Sequence, residues 1–514
     1  MRMYRSLVTL IIAALAACAS TPQKPAPAAA PEAAQAPAPD LAAYETAWAE
    51  VMRLEKANAG DEARKTVARV ISLDDFGSLP EAVQYKWLHH AGDLAIESKA
   101  FDAAYALFKI TTGMSLASED DWGYLFASAE MSGARADAFR ALAVTAQRWP
   151  AKLESFNPQF INRALFGGDA RTDRSDARFE ALDALYGAKW KLDFGFEPSE
   201  AWTDLVRLLL ERGDVQRAID VSARITAPRA LLAMRVDKRY DAVVRAVPER
   251  FDVDLAMARQ IAVLKKMSAD SPRRLALKME LIYGYLEAAQ YEQALTLADA
   301  VLKDESRETA YDDYEQHINW ILDTRGFSLL RLGRWGEAQR NLEQAAALLE
   351  DGKPNVSNAI NLGGLHAEFG RSREALAALG SMAFDPEGVS GYGGMQVHHV
   401  MLRAALASRD TVGVKDALDY MREHQSDAWS TFQTALVDAN ELEAAASLLI
   451  RRLKDPALRG AALSEMQVYR DGALSPVART LAQRWLQVKA RPDVQAALAE
   501  VGRIEKVSLG PPLS

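Results

Sequence analysis

The sequence predicts an all-α fold, an α-solenoid of helical hairpins that follows a signal peptide and a disordered linker. Three observations predict it. From Leu41 onward apolar residues recur at helical spacing, and no stretch alternates like a half-buried strand. Gly, Asp-Pro and Asn pairs break that pattern at intervals suited to paired helices. One segment, Leu322–Leu349, has a plan that other parts of the chain repeat.

The amino terminus is an address. Arg2 and Arg5 precede the apolar run Leu7-Val8-Thr9-Leu10-Ile11-Ile12-Ala13-Ala14, which is shorter than the roughly 20 residues needed to span a bilayer. The run ends in Leu15-Ala16-Ala17-Cys18, and Cys18 is the single cysteine of the chain, so no intramolecular disulfide is possible. These residues resemble the lipobox of bacterial lipoproteins. The resemblance implies cleavage before Cys18 (signal peptide 1–17), acylation of its thiol and membrane anchorage through several chains. Ala19, where Asp would mark inner-membrane retention in enteric bacteria, implies the outer membrane, with the body facing the periplasm. Residues 18–40 hold prolines at 22, 25, 27, 31, 37 and 39 among Ala, Gln, Glu and Lys, and read as an extended tether.

The body, expected over 41–505, is taken in order. Leu41–Ala57 and Asp61–Ile71 form a first helical pair that reads as a cap. Tyr85–Ser118 offers Leu88, Gly92 and Ala95 on one helix and Phe101, Ala104 and Phe108 on the next. Glu119–Pro150 keeps that register, so Ala104 and Ala138 stand one repeat of about 34 residues apart. Asn157–Phe196 departs from it, with a polar loop at 171–176 and the aromatics Trp190, Phe194 and Phe196, which read as a small core under a loop. The register returns near Trp202 and again over Leu275–Lys303.

Leu322–Leu349 is the clearest unit. Its first helix carries Leu322, Gly326 and Leu329, its turn is Leu332-Gly333-Arg334-Trp335, and its second helix presents Ala338, Leu342 and Ala345 on one face. Val356–Met382 follows, then a Gly-rich loop at Glu387–Met395, helices at 397–407 and 414–423, and a last clear copy over Ser426–Pro456. Ala461–Tyr469, Val477–Lys489 and Val494–Ile504 read as a carboxy-terminal cap and 506–514 as a flexible tail.

The spacing of Gly326 and Ala338, repeated in the other segments, resembles the tetratricopeptide repeat. That resemblance implies a superhelix whose first helices line a concave surface that binds a protein or peptide partner. The inward positions it implies are Trp320, Asp323, Phe327 and Arg331, then Ile360, Asn361 and Gly364.

The rest of the composition is mostly exclusion. Net charge is −9, with basic and acidic residues interspersed, so no basic stripe tracks phosphates and nucleic acid is not an expected partner. The seven histidines include the neighbours His89-His90 and His398-His399, about 100° apart on a helix, and no HExxH motif; neither metal nor cofactor is expected. No nucleophile elbow, Walker loop or dinucleotide fingerprint occurs. Gly394-Met395-Gln396 resembles a fragment of lytic transglycosylases, but the acid upstream is Glu374, followed by Ala375 inside a repeat, and Glu97-Ser98 is far away. The expectation is therefore a lipid-anchored, non-enzymatic scaffold in envelope assembly, secretion or wall synthesis; the alternative is a peptidoglycan-acting enzyme or an activator of one.

Overall fold

The computed structural model describes residues 39–167, 173, 175–304, 306–350, 353–383 and 389–512. The expected signal peptide, Cys18 and nearly all of the expected tether lie outside the described residues, as do Arg171, Thr172 and Arg174 of the loop expected at 171–176 and residues 387 and 388 of the Gly-rich loop. The described residues are mostly helical; besides turns they hold one two-residue ladder pairing β1 (Leu349–Glu350) with β2 (Lys353–Pro354) and extended segments near the carboxy terminus. The array expected over 41–505 divides into two compact units, one up to Leu208 and one from Leu209 onward.

The first unit contains α1 (Leu41–Lys56), α2 (Gly60–Ile71), α3 (Glu81–Glu97), α4 (Phe101–Thr111), α5 (Glu119–Met131), α6 (Arg135–Arg148), α7 (Pro158–Phe166) and α8 (Asp176–Gly187). The boundary falls within α9 (Ser199–Glu211). The second unit continues with α10 (Val215–Ser222), α11 (Pro228–Val236), α12 (Asp241–Ala246), α13 (Val253–Asp270), α14 (Leu275–Glu287), α15 (Tyr291–Lys303), α16 (Arg307–Ala310), α17 (Tyr314–Arg331) and α18 (Trp335–Ala347). It ends with α19 (Val356–Glu368), α20 (Ser372–Leu379), α21 (Gly391–Ser408), α22 (Thr411–Glu423), α23 (Trp429–Asp438), α24 (Leu442–Lys454), α25 (Arg459–Met466), α26 (Pro476–Lys489) and α27 (Pro492–Val501).

Nine hairpins among the described residues share one turn register. A buried first-helix residue is followed seven positions later by a residue at positive φ: Val51 by Asn58, Gly92 by Lys99, Phe126 by Gly133, Val206 by Gly213, Ile282 by Ala289, Gly326 by Gly333, Gly363 by Gly370, Leu402 by Arg409 and Gln433 by Asn440. The left-handed residue turns the chain back. The next N–H then reaches the carbonyl five residues earlier, as in Arg334 N to Leu329 O at 2.8 Å and Ala100 N to Ala95 O at 2.8 Å, a Schellman closure that satisfies helix-end carbonyls.

Twelve positions after the first-helix residue stands an alanine in eight of the nine: Ala63, Ala104, Ala138, Ala218, Ala294, Ala338, Ala375 and Ala445, each 0% exposed; in the α21–α22 pair the residue is Val414. A small side chain is what fits where the two backbones approach. In α3 the first-helix position itself allows no side chain, because a Cβ on Gly92 would lie 2.5 Å from the ring of buried Phe108. The first pair, expected as an atypical cap, follows the same register as the rest.

Polar bonds tie neighbouring hairpins. In the first unit buried Asp121 accepts from Tyr85 Oη at 2.6 Å, from Ser118 in a capping box, and contacts His89 Nδ1 at 2.9 Å. Burial pushes this carboxyl up, but the bonds from His89, Tyr85 and Ser118 outweigh it and hold it well below the usual carboxylate range. The three aromatics after α8 part company: Trp190 is buried at 4% exposure, whereas Phe194 is 39% exposed.

The carboxy-terminal end differs most from expectation. Residues after α25 and after α27 are extended and run side by side, with Val468 N to Glu505 O at 3.0 Å, Val507 N to Val468 O at 3.0 Å and Arg470 N to Leu509 O at 2.8 Å. This strap donates to the last residues of three helices of the same unit: Arg503 N to Val236 O of α11 at 3.0 Å, Gly510 N to Glu287 O of α14 at 2.8 Å and Ala473 N to Arg331 O of α17 at 2.7 Å. Those carbonyls have no partner within their own helices, and the strap supplies one.

Glycine permits the approach. A Cβ on Gly472 would collide with the Arg331 carbonyl, and one on Gly502 would lie 2.6 Å from that of Val236. Leu509 is fully buried, and Arg229 Nη2 donates to Gly510 O at 2.9 Å. The tail expected to be loose from 506 is therefore packed as far as it is described. The segment expected to cap the end of a solenoid instead returns to earlier helices of its unit.

Two outcomes follow. Lys99→Gly removes a side chain from a left-handed turn on the surface and should stabilise the first unit by about 0.5–1 kcal/mol in urea titration. Deleting residues 502–514 removes two of the three helix-end donors and the Leu509 anchor. It should cost the second unit about 4 kcal/mol, with faster hydrogen exchange at the ends of α11 and α14 and none in α3–α6.

Candidate partner-binding face

In the second unit the first helices α14, α17, α19, α21 and α23 follow one another, and their facing residues form the candidate face. On α17 the spacing of Trp320, Asp323, Phe327 and Arg331 places them along one side. Gly326 faces the other way, against Leu342 and Asn341 of α18. Asp323 is buried, and the other three are half-buried.

The structure brings two of the expected residues on different hairpins together: Asn361 Nδ2 of α19 donates to Asp323 Oδ1 at 2.8 Å. It separates others. Ile360 packs with Ala367, Ala375, Leu379, Val397, Val400 and Ala404 and belongs to the core of its hairpin. Arg331 gives its carbonyl to the strap. Gly364 is half-buried, and a Cβ there would meet Val400 only at 4.0 Å, an ordinary contact.

Two residues of this face, Glu280 and Tyr283 on α14, went unpredicted. The shared register could have found them, since Tyr283 follows Ile282 as Phe327 follows Gly326. Burial raises the Glu280 carboxyl. Burial likewise pushes Asp323 up to about 6, against the bond from Asn361. The Tyr283 hydroxyl is pushed up to about 12 by burial and then by the charges of Asp323 and Glu280. Among the described residues no Lys, Arg or His forms an ion pair with Glu280 or Asp323.

Further along, the acid is neutralised. Asp438 of α23 accepts from His399 Nε2 at 2.7 Å and Arg403 Nε at 2.8 Å, both of α21. Burial pushes Asp438 up, but Arg403 and His399 outweigh it and hold it at about 2. The neighbouring His398 turns elsewhere and stacks on Tyr420 with ring centroids 3.5 Å apart. Among the described residues no three His, Cys, Asp or Glu side chains are grouped to hold a metal ion.

The expected Gly-rich loop is corrected in part. Gly391–Met395 form the first turn of α21, capped by Ser390 Oγ on Gly393 N at 3.1 Å. Gln396 binds Thr431 Oγ1 at 3.1 Å, so the fragment Gly394-Met395-Gln396 is an ordinary helix start. Glu374 is exposed on the short helix α20.

The repeated register decides the class of fold. The hairpins are tetratricopeptide-like. No protein-family model and no curated protein matches the chain. Among solved structures it is similar to the APC/C hetero-tetramer Cut9-Hcn1, at 13% identity over 81% of this chain and 96% of that one, with TM-score 0.29. It is also similar to Naa15/Naa10 bound to HypK-THB, at 14% identity over 89% and 67%, TM-score 0.22. Yeast Tom70 is similar at 11% identity over 82% and 100%, TM-score 0.21. At such scores the match is loose, and the repeat assignment stands on the chain's own geometry.

The raised Asp323 carboxyl has a stability consequence. Its folded value of about 6 lies above the roughly 3.9 of an unfolded chain, so ionisation opposes folding above pH 6 and has no cost below pH 4. Asp323→Asn keeps an acceptor for Asn361. It should stabilise the second unit at pH 7.5 by on the order of 1 kcal/mol and leave it unchanged at pH 4, as read from urea titrations at the two values.

Proposed function

We propose that this protein is a lipid-anchored scaffold of the bacterial cell envelope that holds a protein partner against the first-helix face of its second unit. The observation that carries the binding reading is that, among the described residues, buried Asp323 and half-buried Glu280 have no cationic partner on a face that also carries the half-buried rings of Trp320 and Phe327. Buried carboxylates left unpaired are costly, and partner surfaces are where such cost is offset by function. Aromatic rings supply contact area around a desolvated charge. A segment bearing Lys or Arg side chains fits this chemistry.

The address rests on Leu15-Ala16-Ala17-Cys18 and the proline-rich stretch that follows. Acylation of Cys18 would hold the body at the outer membrane, facing the periplasm, with a tether long enough for the two units to reach partners away from the lipid surface. Envelope assembly, secretion and wall synthesis all use scaffolds of this kind, and the partner distinguishes them.

Photo-crosslinking in cells tests the face. A crosslinker at Phe327 or Asn361 should capture a discrete basic protein, and one at exposed Arg340 on α18 should not; equal capture at all three positions would count against the face. For the address, Cys18→Ser should release the protein from the membrane fraction, and retention there would refute lipidation.

A further inference from the structure

On α22, α23 and α24 of the second unit lies a trough of about 360 Å³. Its floor is apolar: Phe432 and Leu436 of α23 and Leu448 of α24. Its rim is polar: Arg422 of α22, Gln425 in the following turn and Arg451 of α24. The two arginines differ. Arg422 is engaged by carboxylates, donating to Asp419 Oδ1 at 2.8 Å and lying 3.7 Å from Glu441. Arg451 has neutral partners only, stacking 4.8 Å from the centre of the Trp429 ring and donating Nη2 to Gln425 Oε1 at 2.6 Å. Its guanidinium is thus held in place with its charge uncompensated, and Nε and Nη1 are donors that those contacts leave over.

The walls narrow the class of ligand. Helix backbones satisfy their own N–H and C=O groups, so this trough has no row of donors and acceptors to pair with an extended peptide. It provides one positive anchor at the rim above an apolar floor. The volume is that of a small ligand.

We propose that this trough binds an alkyl carboxylate, with the carboxylate on Arg451 and the chain over Phe432, Leu436 and Leu448. A charge-assisted bond to guanidinium orients the head, and burial of methylenes supplies most of the affinity. The site is separate from the partner face and does not depend on it.

Titration calorimetry of the full chain with decanoate and with decanol, both below their aggregation concentrations, tests the assignment. Decanoate should bind saturably with one site per chain, and decanol about tenfold more weakly or less. Arg451→Met, which keeps the apolar stem, should weaken decanoate to the level of decanol. Ala444→Trp fills the trough from an exposed position and should abolish both; circular dichroism establishes that each variant is folded. Equal affinity for the two ligands, undiminished decanoate binding by Arg451→Met, or non-saturable uptake would each overturn the proposal. Tighter binding of a short peptide ending in leucine than of decanoate would overturn the ligand class.

Discussion

The structure depends on one steric constraint, the close approach of two helices in each hairpin. A left-handed residue closes the turn, and five residues later the second helix must pass the first at a position that favours a small side chain. That is why alanine stands without exposed surface at eight of the nine equivalent places, while the first-helix residue opposite varies from Gly92 to Phe126 to Gln433. Volume lost at one position is made up at the next. Gly92 leaves room that the ring of Phe108 fills, and in α23 Gln433 uses its amide on the Ala445 carbonyl at 2.7 Å.

Hairpins of this kind bury most of their apolar area against neighbours, which leaves the ends of first helices with carbonyls to satisfy. In the second unit the carboxy-terminal strap meets that need for α11, α14 and α17, helices that lie far from it in sequence. The unit is therefore closed by contacts between its two ends, unlike a stack in which each repeat meets only those beside it. Its stability should behave as one cooperative block.

Electrostatics vary along the same row of helices. Between α21 and α23 the carboxylate of Asp438 is met by Arg403 and His399, and the pairing is complete. Between α14, α17 and α19 Asp323 is met by the Asn361 amide, and among the described residues neither it nor Glu280 has a cationic partner. The contrast separates a contact that holds hairpins together from one that leaves charge available.

Much of this was legible in the sequence, because hairpin register is a local property. Turn residues, helix lengths and the alanine spacing all lie within about twenty positions, so Leu322–Leu349 could be read as two helices and a turn without reference to the rest. Asp323 and Asn361 could be placed on first helices for the same reason, each by its place in its own repeat. Features joining distant segments were not. Nothing in the local pattern of Gly472, Gly502 or Leu509 marks them as residues that dock on earlier helices, and their composition reads as a loose end. Glu280 and Tyr283 acquire significance only beside Asp323, which belongs to another hairpin. The glycines at Gly391–Gly394 have low helix propensity and read as a loop, yet Ser390 caps the turn and the Tyr420 hydroxyl occupies the space a side chain on Gly394 would take. The sequence by itself determined the repeat and its turns; the tertiary structure decided which ends meet and which charges are left unpaired, because those depend on contacts between residues tens to hundreds of positions apart.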